Sequence, residues 1–195
     1  MRAVVLARRL RGRILASRTQ PLPRPRTAAI SYVSPLLAVI VGVLHAALAP
    51  VIVVGGAKPN LVLVATVLVT TSLGFLPGIT WAFVAGAAAN LLVGDPLGSV
   101  PLTLLLVAVL VAGGGRALGG MVWVYPVLAT FAGSVIADLV SLVLAQVATG
   151  SPVVGDLPMD LVLRAALLNA GVAALLTYPM RVLTARYATQ ELRAW

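Results

Sequence analysis

The sequence predicts an all-α membrane protein, a bundle of about six transmembrane helices, and three observations carry that prediction. Hydrophobic residues make up 61% of the 195 and charged residues only 10%, against roughly 45–50% and 25% in a soluble domain. The apolar residues fall in long runs separated by short breaks, and no segment after Thr27 is long enough or polar enough for a separate soluble core. Eight of the fourteen basic residues lie in the first 26 positions, ahead of the first run, as in chains whose amino terminus stays on the cytoplasmic side.

Taken in order, residues 1–27 read as a basic cytoplasmic tail, 28–185 as the six-helix domain and 186–195 as a cytoplasmic carboxyl-terminal tail. The first tail holds Arg2, Arg8, Arg9, Arg11, Arg13, Arg18, Arg24 and Arg26; Val4, Leu6, Leu10 and Ile14 give its first half a weakly amphipathic pattern. The spans are read against the ~20 residues that cross ~30 Å of hydrocarbon at ~1.5 Å per residue. The first runs from Ile30 to Val54 and the second from Asn60 to Leu76. A tight turn at Pro77 and Gly78 leads into a third that ends near Gly94, proline being suited to a first helical position. A short fourth span covers Ser99 to Gly114, a fifth Gly120 to Val147 with a kink at Pro126, and a sixth Met159 to Leu183.

Six spans put Arg116, Arg181, Arg186 and Arg193 on the same side as the first tail and leave Lys58 as the basic residue of the outer loops, with Asp95, Asp156 and Asp160 at or beside those loops. Five spans would place the arginine-bearing carboxyl tail outside, against the usual distribution of Lys and Arg.

Several function classes are excluded. The formal charge of +9 is concentrated in a tail, whereas nucleic-acid binders spread basic residues over a folded face with readers between them. There is no cysteine, hence no disulfide, thiolate nucleophile or cysteine metal site. His45 is the only histidine, and the carboxylates are too few to complete a metal site around it. Ser134 follows Gly133 without a GxSxG pattern, and no GxxxxGK[ST] occurs. An enzyme is not expected, and no cofactor is. The triplet Ala47, Leu48 and Ala49 has the form of a signal-peptide cleavage site, but Pro50 just after it disfavours cleavage.

Polar groups inside a bilayer are costly and mark places of interest. Thr130, Ser134, Asp138 and Ser141 recur at spacings of four, four and three on one face of the fifth span. Arg164 near the outer end of the sixth is placed to meet Asp138, with Asn169 in the same network. Small residues form two ridges: Ala38, Gly42 and Ala46 in the first span, and Gly78, Ala82, Gly86 and Asn90 in the third. Such ridges let backbones approach closely, inside a bundle or against a partner.

The stretch from Lys58 to Arg116 resembles the rod shape-determining protein MreD family. The match consists of Pro59 and Asn60 opening the second helix, the glycines Gly74, Gly78 and Gly86, and the turn Asp95, Pro96, Leu97 and Gly98. Asn90 stands where that family often carries an aspartate. The resemblance implies a non-enzymatic scaffold of the bacterial elongation complex in the cytoplasmic (inner) membrane. It implies binding to MreC and, with it, to RodA, a penicillin-binding transpeptidase and indirectly MreB. The six-helix plan is also similar to that of substrate-binding components of energy-coupling factor vitamin transporters, which dock through small residues of the first helix. Such a protein needs convergent polar and aromatic groups near its outer face, whereas Trp81, Trp123 and Tyr125 fall towards the inner side. The scaffold is the favoured reading.

Overall fold

The computed structural model describes the backbone of residues 25–118, 121, 123–150 and 159–192, with side chains described for positions 33–185 within those ranges apart from 117 and 149. The first 24 residues, with the amphipathic pattern from Val4 to Ile14, lie outside the described residues, as do Asp156 and Arg193. Of the described residues, those from 25 to 33 fall in one unit and those from Ser34 onward in a second, in which the helices pack together.

Among the described residues six helices follow one another: α1 (Pro25–Leu48), α2 (Leu61–Leu73), α3 (Phe75–Val93), α4 (Ser99–Ala117), α5 (Tyr125–Thr149) and α6 (Met159–Leu192). Four of them, α3 to α6, are long and apolar enough to cross a membrane. The helix α2 differs in kind. Its 13 residues rise only about 20 Å at ~1.5 Å per residue, less than the hydrocarbon thickness. It lies at the centre, touching α3, α4, α5 and α6, and Val62, Leu63, Val64, Thr66, Val67, Leu68, Val69 and Thr70 are all buried. The sequence LVLVATVLVTTSL is apolar almost all round, and a helix without a polar face buries itself on every side.

The main core gathers Val62, Leu63 and Val67 of α2 against Ala82, Ala85 and Ala89 of α3, Leu104, Val107 and Ala108 of α4, and Ala129 and Ala137 of α5. A smaller cluster joins Val64 and Leu68 to Ala173 of α6. Small side chains dominate, so the helices pack by close approach. The outward faces carry large apolar residues such as Ile40, Val43, Leu91, Leu167 and Leu175, which lipid solvates at no cost.

Helix ends depart from the sequence expectations at five places, each for a local reason. First, α1 stops at Leu48 rather than Val54: Pro50 disfavours helical backbone at the residue before it, and the chain turns through Gly55 and Gly56 at φ +59° and +84°. Second, the break between α2 and α3 falls at Gly74 (φ +99°), whose N–H donates to Thr70 O at 3.2 Å. Third, Pro77 and Gly78 therefore sit in the first turn of α3, where proline's missing N–H has no partner to lose. Fourth, α5 begins at Tyr125, so Pro126 starts that helix and makes no kink. Fifth, α6 continues to Leu192, so the carboxyl-terminal tail begins as helix.

Candidate functional site

The polar residues singled out in the sequence separate into three groups. One is a buried seam through the centre. Asn60 caps α2, its Oδ1 accepting from Leu63 N–H at 3.1 Å, as an Asn placed before an apolar run does. Its own backbone N–H donates to Asn169 Oδ1 at 2.7 Å, and Asn169 Nδ2 donates to Ser134 Oγ at 3.0 Å. Asn169 and Ser134 are 2% and 1% exposed, and this chain of bonds ties α2, α5 and α6 at one depth. Thr130, one turn from Ser134, donates to its own helix at Pro126 O, 2.7 Å.

The expected pairing of Asp138 with Arg164 does not form. Arg164 instead binds Asp160 of its own helix through both carboxylate oxygens, at 2.6 and 3.1 Å, and donates to Gly55 O at 3.2 Å. Its side chain is 55% exposed. A long arginine near a helix end gains more by reaching towards water than by desolvating its charge against a carboxylate in the bundle. Asp138 makes no hydrogen bond or ion pair among the described residues and is half-buried, and Ser141 beyond it is exposed. The stripe on α5 thus begins in the core at Thr130 and Ser134 and emerges on the exposed surface of the bundle at Ser141. Sequence spacing finds the stripe and its link to Asn169; Asn60 was the missed member, signalled by its position ahead of the α2 run. The Asp160 and Arg164 pairing was signalled by their four-residue spacing.

The third-span asparagine has a different role. Asn90 Nδ2 donates to Asp95 O and Pro96 O at 3.2 and 3.3 Å, while its Oδ1 accepts from Gly98 N–H at 2.6 Å. One amide, 4% exposed, therefore holds the turn from Asp95 to Gly98. Gly94 and Gly98 take φ +79° and +88° on either side of it. A carboxylate at position 90 could accept from Gly98 but could not donate to the two carbonyls.

Both ridges of small residues pack within the chain. A Cβ on Gly42 would lie 2.6 Å from Ala85 O of α3, and Ala38 is fully buried on the same face. Ala46, one turn further on, is half-buried. On α3, a Cβ on Gly78 would lie 2.8 Å from Thr70 Cβ, and one on Gly86 2.8 Å from Pro101 Cα of α4, with Ala82 fully buried between them. Trp81 Nε1 donates to Ser34 Oγ at 2.8 Å, joining α3 to α1.

Charge divides the bundle by its ends. Lys58, Asp95, Asp160 and Arg164 lie at the end where α2 and α4 begin; Arg116 and Arg181 lie at the end where α2 and α4 stop. Trp123 and Tyr178 stack at the second end with ring centres 6.4 Å apart.

The class defined by this arrangement is a helical protein in which four helices long and apolar enough to cross a membrane pack around a short buried one. Comparison with family models, with curated proteins and with solved structures gives no match to this chain.

Proposed function

We propose that the protein is a non-enzymatic scaffold of the bacterial elongation complex, similar to MreD, that binds the membrane anchor of MreC and through it the RodA synthase. The observation that carries a docking role is the stripe on α5. Asp138 lies about 20 Å along a helix of about 37 Å at ~1.5 Å per residue, hence near mid-membrane. A carboxylate there costs ~2.5–3.5 kcal/mol on insertion scales. With Ser141 exposed beside it, a partner transmembrane helix bearing a hydrogen-bond donor would satisfy what lipid cannot.

The residues of the resemblance support the same reading through the use the fold makes of them. Asn60 caps α2, Gly74 breaks the chain, Gly78 and Gly86 seat helix crossings and Asn90 locks the turn from Asp95 to Gly98. In this reading the bundle crosses the bacterial cytoplasmic membrane six times, with both termini inside. The end with Arg116 and Arg181 faces the cytoplasm, following the bias of Arg and Lys to that side. Affinity purification of the tagged protein from its native membranes in mild detergent tests the proposal. Recovery of MreC with RodA is expected; recovery of paired transporter ATPases with a membrane coupling subunit would replace it by vitamin uptake.

A further inference from the structure

The connection between α1 and α2 is built inside out for a loop in water. Its small residues Ala49 and Ala57 are the buried ones, while Val51, Ile52, Val53 and Val54 are 40–77% exposed. Four consecutive exposed apolar side chains are a fault on a water-facing surface unless something uses them. With the inner side of the loop taken by alanine, whatever covers these four comes from outside the chain.

Depth and hydrogen bonding both favour lipid as the covering. A Cβ on Gly56 would lie 3.7 Å from Leu161 Cδ1, and Gly55 O accepts from Arg164 Nη1 at 3.2 Å. The loop tip therefore runs beside the first two turns of α6 rather than past its end. The apolar part of α6, Met159–Ala185, has 27 residues and rises about 40 Å at ~1.5 Å per residue. That exceeds the ~30 Å of hydrocarbon, so its first turns stand where headgroups give way to acyl chains. Backbone at that level has little water to bond, and the loop bonds itself. The N–H groups of Val51 and Ile52 donate to Leu48 O at 3.0 and 2.9 Å. Val54 and Ala57 exchange both of their bonds, at 2.9 and 3.0 Å, around Gly55 and Gly56, whose positive φ angles suit a type I′ turn. Pro50 and Pro59 have no N–H to satisfy. The same bonds speak against a protein strand as the covering. Strand addition needs a row of free backbone groups, and the N–H groups of Val51, Ile52 and Val54 are taken. Lys58, exposed just past the turn, has a stem long enough to hold its ammonium among headgroups.

We propose that residues 51–54 are inserted into the lipid leaflet at this end of the bundle, at the boundary of headgroups and acyl chains. The proposal rests on the membrane-crossing reading above, though not on its direction or its partners. The single variants Val51→Cys, Val53→Cys, Lys58→Cys and Leu175→Cys of the cysteine-free chain are labelled with the environment-sensitive fluorophore NBD. Each full-length protein is placed in phosphatidylcholine nanodiscs, which leave both membrane faces open to solutes. Emission is read with iodide in the water, or with lipid carrying a doxyl quencher near the headgroup or near the end of the acyl chain. Probes at 51 and 53 should emit at shorter wavelength than the probe at 58, resist iodide several-fold better and be quenched most by the shallow doxyl group. The probe at 175, on the exposed face of α6 and about 24 Å from its start at ~1.5 Å per residue, should be quenched most by the deep one. Iodide quenching at 51 and 53 as strong as at 58, with the probe at 175 still quenched by lipid, would overturn the inserted loop and leave the membrane crossing standing. Loss of lipid quenching at 175 as well would overturn both. Shielding of 51 and 53 from iodide and doxyl lipid alike would put a second copy of the chain on the loop and also overturn the proposal.

Discussion

Replacing Asn169 with leucine probes the polar seam most sharply, because leucine keeps the side chain's branched shape and number of heavy atoms and opens no cavity. The substitution removes the acceptor for Asn60 N–H at 2.7 Å and the donor to Ser134 Oγ at 3.0 Å, at a site 2% exposed. Hydrogen bonds between membrane helices contribute about 0.6 kcal/mol each on average and up to ~1.7. A donor left unpaired adds the desolvation of its N–H, ~1–3 kcal/mol. The loss should therefore total about 2–4 kcal/mol in an unfolding titration in detergent. Ser134→Ala removes one bond only and should cost about 0.6–1.7 kcal/mol. Since the two residues share that bond, the double variant should be less destabilised than the sum, by about the same amount. Asn169→Leu within about 0.5 kcal/mol of the native protein, or strict additivity in the double variant, would refute the seam.

Gly42→Leu and Gly86→Leu should each destabilise the bundle by about 1–3 kcal/mol or prevent its folding, since even a Cβ falls 2.6 Å from Ala85 O or 2.8 Å from Pro101 Cα; normal unfolding would place these ridges outside. Asn90→Asp should cost about 1–3 kcal/mol by setting a carboxylate against Asp95 O and Pro96 O, read as lower Tm and faster proteolysis at the turn. Arg164→Gln should cost less than about 1 kcal/mol, because its pair with Asp160 is exposed; a larger loss would mean that the contact with Gly55 O anchors the α1–α2 connection. Asp138→Leu should leave Tm unchanged or raised while MreC is lost on purification; retained MreC would remove α5 as the docking face.

Much of the helical plan is legible in the sequence because apolar runs and glycine or proline breaks are local signals. The fourth helix shows this best, beginning at Ser99 as read and ending three residues beyond Gly114. Break positions are less legible where two candidates adjoin. Gly74 and Pro77 both interrupt the second run, and glycine takes the break because it alone adopts φ +99° without strain, while proline fits a first turn.

Which helix lies at the centre is not a local property. The α2 sequence gives the signal in being apolar on all faces, but its 13-residue length emerges only once Asn60 and Gly74 are seen to bound it. In the seam, helical spacing placed Ser134 on the face that meets Asn169. The same spacing could not decide the partner of Arg164, whose long side chain reaches either into the bundle or out to Asp160. Desolvation energy makes that choice, and periodicity carries no record of it. Small-residue ridges were likewise visible as ridges, whereas their partners, Ala85 for Gly42 and Pro101 for Gly86, depend on helix order in space.

The proposed membrane-crossing bundle with both termini inside is tested most directly by single-cysteine labelling, for which the cysteine-free chain is a ready background. Leu97, 84% exposed in the turn held by Asn90, and Leu118, 45% exposed beyond the end of α4, lie at opposite ends of one helix. A membrane-impermeant maleimide applied to intact cells should label Leu97→Cys at once and Leu118→Cys only after permeabilisation. The reverse order would invert the bundle; labelling of both from outside would contradict a membrane crossing by α4.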